Sequence, residues 1–131
     1  MRRAAKRAGV LVTLSTLAAV AVPGTASAVE VPMWFSDPAS CTNVVTVSET
    51  KSGDRFLQLR KGWCGKGNYV WARANGNYKV ELGVYQGDNN VGYNSTQNGS
   101  GNTHYTKGRR IDSGLWFIGD TSWASPIAYA P

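Results

Sequence analysis

Two patterns of apolar spacing divide the chain. Residues 10–22 form one uncharged run, relieved only by Thr13, Ser15 and Thr16. After residue 28 the apolar positions fall instead into short, alternating stretches at 43–48, 55–61, 68–74, 77–86, 91–93, 104–107 and 115–118. Turn-forming residues separate them: Ser52-Gly53-Asp54, residues 62–67, Asn75-Gly76, residues 87–90, Ser113-Gly114 and Gly119-Asp120. Side chains of a strand point to alternate faces, so short alternating runs punctuated by Gly, Asn and Asp predict strands. The expected fold is all-β, a small antiparallel sandwich or barrel. The stretch through Ser40 contains Pro32 and Pro38 and reads as an irregular arm whose Met33-Trp34-Phe35 cluster packs back onto the domain.

Asn75-Gly76 is the sharpest local signal. Both residues tolerate positive φ, as the two central positions of a type I′ hairpin require. Such a turn pairs Arg73 with Tyr78, Trp71 with Val80 and Tyr69 with Leu82. These six residues then share a core face, with Arg73 laid over Tyr78 at the sheet margin. Val70, Ala72, Lys79 and Glu81 take the opposite face. Continuing through residues 87–90 pairs Val84 with Tyr93, giving a three-stranded meander with Tyr85 pointing outward.

The N-terminal run changes the picture of where the chain works. Arg2, Arg3, Lys6 and Arg7 precede it, Pro23 and Gly24 break it, and Ala26-Ser27-Ala28 follows. A positive start, a short apolar stretch and an A-x-A site predict a secretory signal peptide over residues 1–28, cleaved after Ala28. The thirteen residues 10–22 would rise only about 20 Å as a helix, against a hydrocarbon core of roughly 30 Å, so a membrane anchor is not expected. General secretion is favoured over twin-arginine export, because the apolar residues that usually follow the arginine pair are missing. Residues 29–131 form a single secreted domain with no membrane association, expected to be a monomer.

Cleavage also removes charge. The full chain has 14 Lys+Arg against 8 Asp+Glu, a net of +6. Four of the 14 positives lie in the leader and all 8 negatives lie beyond it, leaving ten against eight, or +2. That weakens the case for nucleic acid as a partner. All five Trp, six Tyr and three Phe fall after residue 28, as do the two cysteines. Two cysteines in an exported chain predict a disulfide, Cys41–Cys64. Closing a loop of about 22 residues stabilises by roughly 3 kcal/mol in the chain-entropy picture.

Catalytic machinery is hard to assemble from this sequence. His104 is the one histidine, and no Gly-x-Ser-x-Gly elbow surrounds any serine. One His and a bridged cysteine pair leave too few nitrogen and sulfur ligands for zinc, so no metal or cofactor is expected. The carboxylates are Glu30, Asp37, Glu49, Asp54, Glu81, Asp88, Asp112 and Asp120. Asp54, Asp88, Asp112 and Asp120 neighbour Gly or Ser, where short acids accept turn hydrogen bonds. Lys107-Gly108-Arg109-Arg110 is the cationic cluster, read either as a solvated turn or as an exposed contact for an anionic polymer or a protease. Five tryptophans are more than so small a core readily hides, and surface aromatics suit glycan stacking. The candidate binding residues are therefore Tyr85, Tyr93, Arg109, Arg110, Trp116 and Trp123. The Gly/Asn/Ser-rich stretch 87–103 is either a plain connection or a ligand loop, and it carries formal glycosylation sequons at Asn94 and Asn98.

Leu57-Gln58-Leu59-Arg60, then Cys64, then Trp71-Ala72-Arg73 resembles the core motif of the YjfA-type domain of unknown function. That family comprises small secreted proteins of Gram-positive bacteria, common among actinobacteria. Cys41 introducing Thr42-Asn43-Val44-Val45-Thr46-Val47 also fits. The match runs from Cys41 to Arg73, and departs where Gln58 replaces the usual acid and where six residues separate Cys64 from Trp71. The resemblance implies a secreted β domain and no activity.

Three functions fit these residues. The first is a non-enzymatic binding protein for cell-envelope glycan or a surface polymer. The second is a protease inhibitor or antibacterial protein presenting residues 62–67 or 107–110 to a protein target. The third is a small hydrolase using His104 or an acid pair.

Overall fold

The computed structural model describes residues 31–96 and 103–131; the expected signal peptide over residues 1–28 and the Asn98 sequon lie outside them. Pro32–Pro131 forms one compact unit. Its described residues make ten strands: β1 Trp34–Phe35, β2 Thr42–Ser52, β3 Arg55–Trp63, β4 Asn68–Asn75, β5 Val80–Gln86, β6 Asn89–Thr96, β7 Thr103–Tyr105, β8 Gly108–Arg110, β9 Leu115–Thr121 and β10 Ile127–Tyr129. They form two antiparallel sheets. One has the order β1-β8-β4-β3-β2, with β7 also paired to β4; the other has the order β10-β9-β5-β6. The sheets face each other as a sandwich and do not close into a barrel.

Period-two alternation explains the layers. Leu57 and Leu59 on β3 and Val70, Ala72 and Ala74 on β4 turn inward, where they meet Val80, Leu82 and Val84 of β5 and Leu115 and Phe117 of β9. All but Leu115 are fully buried. Ala72 and Ala74 are small, and Gly119 is smaller still. A Cβ on Gly119 would stand 3.1 Å from Leu59 Cδ2, so the bare backbone lets the sheets approach closely there.

The Asn75-Gly76 hairpin does not form. β4 pairs with β3, β7 and β8, and β5 pairs with β9 and β6, so residues 75–80 carry the chain from one sheet to the other. Gly76 has φ +85°, but Asn75 does not join it in the left-handed region, and type I′ geometry needs both. The Asn75 side chain is engaged elsewhere: Oδ1 accepts from the Phe56 amide at 2.8 Å and Nδ2 donates to the Asp54 carbonyl at 2.6 Å. It props the β2–β3 turn rather than making its own. The expected core face of β4 is consequently reversed, since Val70 and Ala72 face the other sheet. Tyr69 and Trp71 are buried too, but by other means. Phe35 packs on Tyr69 with ring centroids 5.6 Å apart, and the Tyr69 hydroxyl donates to the Pro32 carbonyl. The expected arm thus contains a strand, β1, paired to β8. The Arg73 guanidinium lies 5.0 Å from the Phe56 ring, while Arg55 takes the place beside Tyr78.

Consecutive hairpins β2-β3-β4 supply the meander, one sheet away from its expected position. The Cys41–Cys64 bridge joins the residue before β2 to the residue after β3, with Cα atoms 4.4 Å apart. Thr42 and Trp63, the neighbours inside the bridge, are paired in the ladder.

Candidate functional site

β5 lies between β9 and β6, and its outward positions are Glu81, Gly83 and Tyr85. The ladder sets Trp116 opposite Tyr85, Ile118 opposite Gly83 and Asp120 opposite Glu81. On the other side Tyr93 stands opposite Gly83 and Ser95 opposite Glu81. Val84 therefore pairs with Gly92 rather than Tyr93, and a bulge next to Tyr85 absorbs the extra residue.

These residues make a face with two chemically distinct ends. At one end the Tyr85 and Trp116 rings stack at 4.9 Å with an interplanar angle of 30°. Trp116 Nε1 donates to the Gly87 carbonyl at 2.8 Å, which fixes its ring. Gly83 leaves room in the middle: a Cβ there would lie 2.9 Å from Tyr85 Cε1, so the tyrosine ring covers bare backbone. Tyr93 flanks that gap and is 54% exposed, a large share for an aromatic side chain. At the other end Glu81 and Asp120 oppose each other, with Lys79 Nζ 3.6 Å from the Glu81 carboxylate. A hollow of about 90 Å³ lined by Glu81, Gly83, Tyr85, Tyr93, Ile118 and Asp120 meets a second of about 150 Å³, and the two share both carboxylates. The result is a shallow groove with aromatic planes at one end and hydrogen-bond acceptors at the other.

Of the residues expected to bind, the structure brings together Tyr85, Tyr93 and Trp116. It does not place Trp123 with them. Trp123 packs against the core, and the Arg55 guanidinium covers its ring at 4.9 Å. Arg109 and Arg110 also lie elsewhere, and neither sits in a solvated turn or an exposed loop, although Lys107 at the head of their cluster is exposed. Both belong to β8, with Arg109 only 6% exposed. Arg109 Nη1 donates to the Arg110 carbonyl at 2.7 Å and to Asp112 Oδ2 at 3.2 Å. Arg110 grips both oxygens of Asp112, at 2.8 and 3.0 Å. Hydrogen bonding from Arg110, more than any other influence, holds the Asp112 carboxyl below its usual range, with Arg109 adding to the effect against the opposing cost of burial. Burial, partly offset by the Arg110 and Arg109 charges, pushes the Tyr69 hydroxyl up.

His104 is fully buried on β7, and its Nε2 bonds the Gly76 carbonyl, which requires the proton on that nitrogen. It holds the inter-sheet crossover. Among the described residues no group of three or more His, Cys, Asp or Glu is placed to hold a metal, and no helix is long and apolar enough to cross a membrane.

The Glu81–Asp120 pair escaped sequence reasoning. Alternation on each strand alone marks Glu81/Gly83/Tyr85 and Trp116/Ile118/Asp120 as same-face triplets, but the β5–β9 pairing that joins them spans distant parts of the chain. No family model, curated protein or solved structure matches this chain.

Proposed function

We propose that the mature chain is a secreted, non-enzymatic binding protein whose ligand is a glycan of the cell envelope, held along the outer face of β9, β5 and β6. One observation carries this reading: Tyr85, stacked on Trp116, and an exposed Tyr93 line a groove together with two hydrogen-bond-accepting carboxylates. Sugar rings have apolar C–H faces that lie on aromatic planes, and equatorial hydroxyls that donate to carboxylates. A flat, open groove suits a chain of such rings better than a single small molecule, which calls for deeper enclosure. Glu81 and Asp120 also bias the choice of polymer. They repel phosphate-rich chains and favour neutral ones.

Retention on purified cell wall and on chitin tests the reading. Wild-type protein is expected to be held, and Trp116→Ala and Tyr93→Ala to pass through. A wild-type protein held by no polysaccharide overturns it. Export is tested separately by N-terminal sequencing of protein from the culture medium, where the first residue is expected to be Val29.

A further inference from the structure

The outer face of the other sheet carries a second, chemically opposite arrangement. Gln58 pairs with Arg73 and Arg60 with Trp71 across β3 and β4, so the four outward residues form a two-by-two block. Arg73 Nη1 donates to Gln58 Oε1 at 2.8 Å, and Arg60 Nη1 approaches the same oxygen at 3.5 Å. Arg60 Nη1 also donates to Thr46 Oγ1 at 2.9 Å, while its Nε is buried without an acceptor. The nearby acid, Glu49, is occupied by the Gln58 amide at 2.6 Å.

Two guanidiniums therefore share a neutral oxygen. Among the described residues the ion pairs are Lys79–Glu81, Arg109–Asp112 and Arg110–Asp112, and neither Arg60 nor Arg73 has a carboxylate within 4.0 Å. The contrast with Arg109 and Arg110, which share Asp112, is direct. Partial burial and, secondarily, the charge of Arg60 hold Arg73 below its usual value, as expected where like charges adjoin without an anion.

The block opens on a hollow of about 270 Å³. Arg60 and Arg73 line it together with Trp71, which is 3% exposed, and Pro38, Val44 and Tyr105. We infer that this hollow binds an oxyanion, a carboxylate or phosphate, borne on a flat apolar body that lies between Pro38, Val44 and the aromatic residues. The guanidinium forks match either anion, and the apolar lining gives the rest of the ligand a place. The site is independent of the glycan groove, which lies on the opposite layer of the sandwich.

Isothermal calorimetry of the purified protein with benzoate, phenyl phosphate, inorganic phosphate and benzyl alcohol tests the inference. Benzoate or phenyl phosphate is expected to bind saturably, the tighter of the two naming the anion, while benzyl alcohol gives no saturable heat. Inorganic phosphate is expected to bind more weakly than the ring-bearing ligand. Arg73→Gln and Arg60→Gln each should lower affinity roughly ten- to a hundredfold, the loss of a charge-assisted hydrogen bond. Trp116→Ala should leave it unchanged. In ¹⁵N-labelled wild-type protein the side-chain resonances of Arg60 and Arg73 should shift on titration, a readout that needs no variant to fold. Absence of saturable binding by both ring-bearing anions, equal binding of benzyl alcohol, or unmoved Arg60 and Arg73 resonances each overturn the inference.

Discussion

Glu81 and Asp120 face each other across β5 and β9, two carboxylates at directly opposed ladder positions. Directly opposed like charges weaken a sheet, and Lys79 at 3.6 Å from Glu81 offsets only part of that cost. Asp120→Asn should therefore raise stability by about 0.2–1 kcal/mol at neutral pH, read from urea unfolding. The same variant should weaken glycan retention. A drop in stability would mean that Asp120 holds the sheet rather than straining it.

Trp116→Ala separates binding from folding in the opposite sense. The Tyr85–Trp116 stack at 4.9 Å lies outside the core. Its loss should cost only about 0.5–1.5 kcal/mol beyond the area uncovered, while abolishing retention on cell wall. Circular dichroism melts beside the pull-down distinguish the two effects.

Gly119→Ala tests the contact between layers. The added methyl would meet Leu59 Cδ2 at 3.1 Å and Ile127 Cγ1 at 3.4 Å. Overpacking of this kind typically costs about 1–3 kcal/mol, so the midpoint of denaturation should fall. A neutral result would show that the sheets can slide apart at this point.

How much of this was legible in the sequence varies with the range of the interaction. β3 was legible because Leu57 and Leu59 alternate with Gln58 and Arg60 on one strand. The inward set Val80, Leu82 and Val84 was legible for the same reason. Asn75-Gly76 misled because local turn propensity gave way to hydrogen bonds with Asp54 and Phe56, twenty or so positions away in the chain. That one substitution of partners moved β5 to the other sheet and reversed the core face of β4. Tyr93 sat on the core side in the expected Val84–Tyr93 pairing and Trp116 stood out by its aromatic character alone, so of the three only the outward position of Tyr85 was legible. Their convergence was not, because it depends on the β5–β9 ladder. Arg109 and Arg110 attracted notice as bare charge, whereas the burial of Arg109 and the partial burial of Arg110 follow from pairing with β1 and β4.

Acid should loosen the corner that those arginines build. The folded-state value of Asp112 is depressed, chiefly by the Arg110 hydrogen bonds. Its contribution is therefore full above the ordinary carboxylate value of about 3.9 and is lost as pH falls below that toward the depressed value. The carboxylate is partly exposed, so the effect is modest. Asp112→Asn should flatten the acid limb of the stability curve. An unchanged limb would assign acid sensitivity to other carboxylates.

Cys41→Ala/Cys64→Ala should cost about 2–4 kcal/mol, seen as a lower denaturation midpoint. Glycan retention below that midpoint should persist, because the bridge belongs to the β2–β3 edge and the groove to the other sheet. Loss of both together in a protein that still melts cooperatively would tie the bridge to the groove.

The position of that bridge has a mechanical reading as well. A pull or an exopeptidase acting from the N-terminus could strip away the arm and unzip β1 from β8. At Cys41 it would meet a crosslink that anchors the start of β2 to the far end of β3. β2 is an edge strand of its sheet, as β1 is at the opposite margin. The crosslink turns the vulnerable β2 margin into a closed clasp, so erosion of the tail stops short of β2.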